Sequence, residues 1–464
     1  MPPSIDVDQI TDGVRDAVGK GSYSTKPRLL LCASPITGHT LPMLRLNEEL
    51  AARGYDISFL AAEEFRSQIE KSGSRLLPIP AQWTPEFIAQ RDAVPTGLPR
   101  LLFDMEHAFL GQIPLRWEKL NKTLEFLYEE DPARDIVIIT EPVFMGALPL
   151  VLGAPLPKGF KTRPKVIGYS QFPYMGKSVV TAPFGPGLPP DSSDAGRQRN
   201  ALMHEEFNAG PFAAPIALQK RLLEQAGARE HDPEESLVDT WICHYDATFQ
   251  VCPPSLEYDR PDISPNIKFA GCLSPKPLKK DFVFPSFWDE VTRGDRPVVL
   301  VTQGTVAVDY SELLIPTIEA LADHEDLLVV AILGVKGASL PESLIIPANT
   351  RVIDYLSYDA VLPHTAVFVM NAGYGGVIHG ACHGVPMVLA GESEDKLEVA
   401  MRAEWAGVAV NLRTAKPTKE ALREAVVRIM GESSFKKKAL AMKEENDALD
   451  TLAIVEKQIM DLAQ

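Results

Sequence analysis

The sequence predicts an α/β fold in which two parallel-sheet halves face each other across a cleft. Residues 28–33 and 55–60 are short apolar runs, and residues 40–53 between them have helical spacing, which is the βαβ pattern of a parallel sheet. A second α/β pattern starts near residue 296 with the apolar run PVVLVTQG. Because ligands bind at the carboxyl ends of parallel strands, we expect a binding site in the cleft.

Composition limits the partners that the chain can have. Its 464 residues carry a formal net charge of −16, which disfavours nucleic acid and anionic membrane surfaces as partners. No apolar run approaches the roughly 20 residues that a membrane span needs, and residues 1–26 lack a signal-peptide pattern. We therefore expect a cytoplasmic protein. The five cysteines form no C-x-x-C pair and are predicted to be buried free thiols.

Changes in composition along the chain predict its domains. Residues 1–26 are predicted to be a flexible leader, and residues 27–255 the first α/β domain. The proline-rich range 256–294 is predicted to be a linker, residues 295–440 the second domain, and residues 441–464 a C-terminal helix that packs back on the first domain.

A glycine-rich turn in the second half predicts an anion site. Residues 371–376 (NAGYGG) follow an apolar run, 366–370, and precede a segment, 377–383, that can be helical. Backbone N–H groups at a helix start bind phosphate, and a Cβ at Gly375 or Gly376 would keep a diphosphate away from them. The dinucleotide motif G-x-G-x-x-G fails because position 378 is isoleucine. A glycine-rich turn without a ligand is the alternative.

An acidic loop follows the next predicted strand, residues 385–390. It contains Glu392, Glu394 and Asp395 beside Lys396. Carboxylates repel phosphate but accept hydrogen bonds from sugar hydroxyls. Together with the glycine turn, this loop predicts a nucleotide-sugar site.

The first half contributes a candidate base. His39 follows the first predicted strand at the start of a helix, and Glu141 lies at the carboxyl end of the strand at residues 136–140. Glu141 either hydrogen-bonds His39 across the strand ends or simply begins a loop. Aromatic residues between positions 80 and 130 supply more apolar surface than a solvated helix needs, and part of it is predicted to line a pocket for an apolar acceptor; they include Trp83, Phe87, Phe103 and Phe109.

Five motifs together carry a family resemblance: GHTLP (38–42), QGT (303–305), NAGYGG (371–376), HGVPMV (383–388) and SEDKLEVA (393–400). With them, residues 26–431 resemble the UDP-glycosyltransferases of the GT-B fold, close to the macrolide-type branch. The resemblance implies two Rossmann-like domains and inverting transfer of a sugar, glucose, from a UDP-sugar donor to a hydroxyl of a small lipophilic acceptor. It implies no metal and no other cofactor.

The resemblance also assigns roles to residues. His39 matches the catalytic base, and Glu141 matches an aspartate that orients it. Asn371 stands in place of a phosphate-binding histidine, His379 in place of a ribose-binding glutamate, and Lys396 in place of a sugar-binding glutamine. The donor-binding residues implied are Gln303, Gly304, Thr305, Tyr355, Leu356, Tyr358, Asn371, Gly373, Gly375, Gly376, His379, Glu394, Asp395 and Lys396. The acceptor-binding residues are Ile36, Thr37, Gly38, Phe144 and Phe172.

Two other functions are compatible with the sequence. The altered residues at positions 371 and 379 suit a non-catalytic relative that binds a partner or a lipophilic ligand. A nucleotide-sugar epimerase on a similar two-domain fold is the second alternative. The acceptor itself is not assigned, because variable apolar loops build acceptor pockets in such folds. The oligomeric state is not assigned either.

Overall fold

The computed structural model describes residues 26–95, 97–230, 232, 235–305 and 307–463. Apart from Lys26, the predicted leader lies outside these ranges. Within them, the first sheet is parallel and has the order β3-β2-β1-β4-β5-β6-β7. Its strands are β1 (Arg28–Cys32), β2 (Ile57–Ala62), β3 (Arg75–Ile79), β4 (Ile136–Thr140), β5 (Lys165–Ser170), β6 (Ala247–Gln250) and β7 (Ile267–Phe269).

The second sheet is also parallel, with the order β10-β9-β8-β11-β12-β13. Its strands are β8 (Val298–Thr302), β9 (Leu328–Ile332), β10 (Thr350–Ile353), β11 (Thr365–Met370), β12 (Met387–Leu389) and β13 (Ala409–Asn411). Both sheets follow the order expected of doubly wound α/β folds, so the predicted fold class is confirmed.

Helices cover both faces of each sheet. Those before the second sheet are α1 (Thr37–Ala52), α2 (Arg66–Lys71), α3 (Pro85–Asp92), α4 (Leu98–Phe103), α5 (Ile113–Glu130), α6 (Leu148–Val151), α7 (Asp194–Ala209), α8 (Ala213–Gln225), α9 (Leu237–Ile242) and α10 (Trp288–Thr292). Those that follow are α11 (Leu314–Ala320), α12 (Tyr358–Val361), α13 (Tyr374–His383), α14 (Lys396–Trp405), α15 (Lys419–Gly431), α16 (Ser433–Ala448) and α17 (Thr451–Leu462). No helix in the described ranges is long and apolar enough to cross a membrane.

The central strands are buried on both faces, which explains their unbroken apolar sequences. In β1, Leu30 and Cys32 pack into the core on one side of the first sheet, while Leu29 and Leu31 pack into the core on the other. The strand β8 alternates in the same way between the two cores of the second sheet. All five cysteines are free, and four are buried.

The first sheet extends into the range that we predicted as a linker. Strand β7 pairs with β6 and forms the edge of the first sheet, and its Ile267 is buried in the core. This strand was missed from the sequence because it is an edge strand of three residues in a proline-rich segment, which is too short for a recognisable pattern. The stretch without strands before β8 is therefore shorter than residues 256–294.

The C-terminal segment is two helices rather than one. Helix α16 packs on the second domain through Ala439 and Met442. The chain then breaks at Leu449, and Asp450 begins α17 by accepting a hydrogen bond from the backbone N–H of Ala453. Leu452, Val455 and Ile459 of α17 lie in the same core as β1 and β2. The prediction that the C-terminus packs back on the first domain is thus confirmed.

Candidate active site

His39 lies at the carboxyl end of β1, in the first turn of α1. The helix begins at Thr37, three residues earlier than we predicted, so Pro42 lies inside the helix and not in its first turn. Ile36 precedes the helix and offers no side-chain cap. The His39 side chain is about one-quarter exposed, at 25%.

Glu141 holds His39 in place. Its side chain is fully buried and accepts hydrogen bonds from His39 Nδ1 at 3.1 Å, Ser34 N at 2.9 Å and Val143 N at 3.0 Å. Burial on its own would raise the pKa of Glu141, but His39 and Ser34 outweigh it and hold the pKa below its usual range. The predicted contact between Glu141 and His39 is confirmed, and it is made to an ionised carboxylate.

A buried arginine supports the loop that follows Glu141. Arg116 of α5 donates hydrogen bonds to the carbonyl oxygens of Val143 and Phe144, at 2.7 and 3.1 Å. Burial lowers the pKa of Arg116 to about 10, and Glu141 opposes that shift. The arginine fixes the backbone around Glu141, a role that has no local signal in the sequence.

The backbone is strained at the residue that precedes Gly373 in the glycine turn. Ala372 adopts a φ of 60°, in the left-handed region that costs a non-glycine residue free energy. Gly373 then precedes α13, which begins at Tyr374 without a side-chain cap. A Cβ at Gly375 would meet nothing within 4 Å, which fits a face open to a ligand.

Gly376 has a different role from the one we predicted. A Cβ there would lie 2.4 Å from the Met370 side chain, so a side chain at position 376 would point at β11 and not at a ligand. The glycine at position 376 allows close packing of α13 on the sheet. The prediction that a Cβ at 376 would displace a diphosphate is therefore wrong.

The segment after β8 supports the glycine turn. Gln303 is buried, and its side-chain oxygen accepts hydrogen bonds from the N–H groups of Leu313 and Leu314 at the start of α11. The Gln303 side-chain amide is thus hydrogen-bonded within the second domain and is not presented to a bound UDP-sugar. The Gln303 carbonyl oxygen accepts a hydrogen bond of 2.6 Å from Asn371 Nδ2. Thr305 is exposed.

Gly304 and Asn371 lie beside each other at the glycine turn. Gly304 has a φ of 76°, which favours glycine, and a Cβ on it would lie 4.0 Å from Asn371 Oδ1. Because an amide nitrogen carries two hydrogens, Asn371 keeps one donor for a ligand after its bond to Gln303. Its predicted role in phosphate binding is therefore chemically possible.

The acidic loop lies at the start of α14. Lys396 Nζ contacts Ser393 Oγ and Glu394 Oε2, each at 2.5 Å, so the lysine neutralises Glu394. Asp395 is part-buried, and burial raises its pKa, while Lys396 and His39 are among the groups that oppose the shift. Arg91 of α3 contacts Glu394 Oε1 at 3.6 Å, which places the acidic loop against the first domain.

The predicted nucleoside end of the site contains two tyrosines. Tyr355 is half-exposed, with the Lys336 ammonium 5.4 Å from its ring centroid. Tyr358 packs edge-on against Phe368 and His379, with centroid distances of 5.6 and 5.2 Å. Leu356 between them is buried in the core, so only its backbone can contact a ligand.

The predicted acceptor residues separate into two groups. Thr37 and Gly38 are exposed and Ile36 is part-buried, beside His39. Phe144 is fully buried in the core and Phe172 is 7% exposed. Because a side chain without exposed surface cannot contact a ligand, the prediction for Phe144 is wrong, and the ring of Phe172 also belongs to the core.

Phe109 is the aromatic side chain next to His39, with 6.5 Å between the ring centroids. Three other aromatic residues contact one another: Phe87 is 5.3 Å from Trp83 and 5.7 Å from Phe103. These four aromatic residues are only part-buried.

Sequence reasoning missed two features. Tyr374 is buried at the start of α13, and its hydroxyl accepts a 3.1 Å hydrogen bond from Gln250 Nε2 of the first domain. The second feature is a cluster of Asp359, His379 and His383, whose ligand atoms lie within 4.8 Å of one another. The spacing of the two histidines, four residues apart on a helix, was the available signal.

Known proteins resemble this chain over most of its length. The family model described as UDP-glucoronosyl and UDP-glucosyl transferase matches residues 235–445. UDP-glucosyltransferase 1 of Beauveria bassiana (strain ARSEF 2860) is 43% identical over 439 residues, which are 94% of this chain and 95% of that protein. The chain belongs to the UDP-glycosyltransferase family.

Two further relatives agree with this assignment. UDP-glucosyltransferase A1 of Starmerella bombicola is 36% identical over 446 residues, covering 95% of this chain and 93% of that protein. The crystal structure of the glycotransferase of kitacinnamycin aligns with a TM-score of 0.68 at 22% identity, covering 95% of this chain and all of that one. The fold is thus GT-B, and the predicted family and enzyme class, a UDP-dependent glycosyltransferase with a UDP-sugar donor, are confirmed.

The buried carboxylate of Glu141 predicts a dependence of stability on pH. Its pKa is lower in the folded protein than in the unfolded chain, so its stabilising effect is present above about pH 4.3 and is lost as pH falls through the folded pKa. Glu141→Gln removes this titration while keeping the shape. We expect the difference in melting temperature between wild type and variant to be largest near neutral pH and to shrink below about pH 4.3. A constant difference from pH 7 to pH 3 would contradict an ionised Glu141.

Proposed function

We propose that this enzyme transfers glucose from UDP-glucose to a hydroxyl group of a small lipophilic acceptor, such as a phenolic or polyketide natural product. The observation that carries the proposal is the hydrogen bond between His39 and the buried Glu141 carboxylate at the carboxyl ends of β1 and β4. Glucose is supported by two relatives of this chain that are named UDP-glucosyltransferases. The same relatives count against the non-catalytic and epimerase alternatives.

His39 acts as the general base through its Nε2 atom. An ionised carboxylate only accepts hydrogen bonds, so the contact with Glu141 places a hydrogen on His39 Nδ1. The Nε2 atom of the neutral ring then carries the lone pair. It removes the proton of the acceptor hydroxyl as the acceptor oxygen attacks the anomeric carbon. Glu141 stabilises the imidazolium that forms.

The start of α13 stabilises the leaving group. As the new glycosidic bond forms, the bond between the anomeric carbon and the diphosphate oxygen breaks, and UDP leaves with the electron pair. The uncapped N–H groups at Gly375 and its neighbours, the open face at that glycine and the second amide hydrogen of Asn371 provide donors for this charge. A single displacement inverts the anomeric centre and gives a β-glucoside.

The acceptor pocket is proposed to lie beside Phe109 and the three aromatic residues grouped around Phe87. Phe109 is next to His39, Phe87 contacts Trp83 and Phe103, and all four rings are only part-buried. A flat apolar molecule that stacks on these rings would bring its hydroxyl to the base. This geometry favours lipophilic aromatic acceptors over sugars or peptides.

The direct test is a reaction of the purified enzyme with UDP-glucose and a panel of phenols and polyketides in the presence of excess EDTA. We expect products heavier by one glucosyl residue, that is glucose minus water, to form despite the chelator because no step requires a metal ion. Their β configuration is checked by proton NMR. Hydrolysis of donor without acceptor glucosylation would contradict the transferase proposal. A product formed only after magnesium or manganese is added would contradict the assignment of leaving-group stabilisation to α13.

Replacing the base tests its role. His39→Ala should lower transfer to an aliphatic alcohol by about 10²–10⁴-fold, which is the usual contribution of a general base. The loss should be smaller for an acidic phenol, since this acceptor is already partly ionised. UDP affinity and melting temperature should stay near those of the wild type. Near-normal transfer to the alcohol would show that another group removes the proton.

Replacing the sugar-binding carboxylate tests the acidic loop. Asp395→Ala should reduce turnover of UDP-glucose far more than it weakens UDP binding, because UDP lacks the glucose hydroxyls. Glu392→Ala is the matched control, since Glu392 is an exposed carboxylate of the same loop. Calorimetric titration of UDP beside steady-state kinetics separates the two effects. Equal losses in binding and turnover would contradict a sugar-specific role for Asp395.

A further inference from the structure

Three potential metal ligands meet beside the nucleoside end of the site. His379 and His383 are four residues apart on α13, so their side chains share one face of the helix. Asp359 of α12 lies opposite them, with Oδ1 at 3.5 Å from His379 Nδ1 and 3.7 Å from His383 Nε2. The carboxylate thus lies between the two imidazoles.

The carboxylate oxygen between the imidazoles lacks a hydrogen-bond partner among the described residues. Asp359 Oδ1 is buried and unpaired, whereas Oδ2 accepts a 3.2 Å hydrogen bond from the backbone N–H of Lys276. Leaving a buried charged oxygen unpaired is costly, and folded proteins rarely do so. A cation held between Oδ1 and the two rings would satisfy it.

The ring of His383 is already oriented as a metal ligand. Its Nδ1 atom donates a 2.8 Å hydrogen bond to the carbonyl oxygen of His379. A carbonyl can only accept, so Nδ1 carries the hydrogen and Nε2 points its lone pair towards Asp359. Metal-bound histidines are typically fixed in this way, by a hydrogen bond from the second ring nitrogen to a carbonyl or carboxylate.

We propose that Asp359, His379 and His383 bind a divalent transition metal ion of the zinc type. Two imidazole nitrogens and a carboxylate oxygen are ligands that Zn²⁺ accepts. Zinc–ligand bonds of about 2.0–2.1 Å in a tetrahedron place neighbouring ligand atoms about 3.3 Å apart, close to the two distances from Asp359 Oδ1. The His379 side chain is 42% exposed, which provides a path of entry and leaves the fourth position open to water.

This site is separate from the proposed leaving-group site. Gly375 lies in the first turn of α13, and His379 and His383 lie about 6 and 12 Å further along the helix. The ion is therefore placed one turn or more beyond the N–H groups that are assigned to the diphosphate. It would connect α12 to α13 and, through Asp359, to the linker at Lys276, so its expected effect is on the stability of the second domain.

Metal binding is tested on the full chain without a polyhistidine tag, after removal of metal with a chelator. Zn²⁺ should bind at one ion per chain in competition with a chromophoric chelator, and Co²⁺ should give the visible absorption of a tetrahedral site. His383→Gln and Asp359→Asn should each weaken Zn²⁺ binding by roughly 100-fold or more, because loss of a ligand exceeds the 10–100-fold effect of losing a residue that supports one.

Two further variants keep the result interpretable. His379→Gln changes a half-exposed side chain, so this variant is expected to fold even if His383→Gln and Asp359→Asn do not. It should also lose Zn²⁺ binding. His364→Gln replaces an exposed histidine on the short turn after α12 and should bind Zn²⁺ like the wild type. Zn²⁺ should raise the melting temperature of the wild type and of His364→Gln but not that of His379→Gln. Absence of stoichiometric Zn²⁺ binding by the wild type, or undiminished binding by His379→Gln, would overturn the proposal.

Discussion

The position of the two domains depends on a buried set of charges between them. Arg402 of α14 donates to both carboxylate oxygens of Glu257, at 3.0 and 2.9 Å, and to Glu398 at 2.8 Å. Arg260 contacts Glu257 at 3.1 Å, and the exposed fraction of each of these four side chains is 7% or less. Breaking a buried ion pair typically costs about 3–5 kcal/mol, because it leaves the other charge unpaired.

This charge network reaches the active site through α14. Burial on its own would raise the pKa of Glu257, but Arg402 and Arg260 outweigh it, so the carboxylate stays ionised. Glu398 also accepts hydrogen bonds from the backbone N–H groups of Gly185 and Gly187, which fixes the irregular loop before α7. Since Asp395 directly precedes α14, the contacts that hold this helix on the first domain also set the distance from the acidic loop to His39.

Sequence patterns were sufficient to predict the site residues whose position depends only on the end of a strand or the start of a helix. His39, Glu141 and the turn at Gly373 each follow a buried strand, and a parallel sheet brings such positions to one edge. Predictions failed where a role depends on what a side chain packs against. Gly376 meets Met370, and Phe144 lies in the core, and neither contact has a local signature. The pair of Glu257 and Arg402 is separated by 145 residues, so no spacing rule could join them.

The return of the chain to the first domain has a mechanical consequence. Within the described residues, the segment after β7 and the break before α17 pass between the domains side by side. Asn446 accepts a hydrogen bond from the Cys272 N–H, and the Thr451 hydroxyl contacts the carbonyl oxygens of Ala270 and Cys272. The two segments that cross between the domains are thus hydrogen-bonded to each other at one edge of the cleft. We therefore expect the cleft to open by rotation about this edge, because twisting one domain against the other would break these hydrogen bonds.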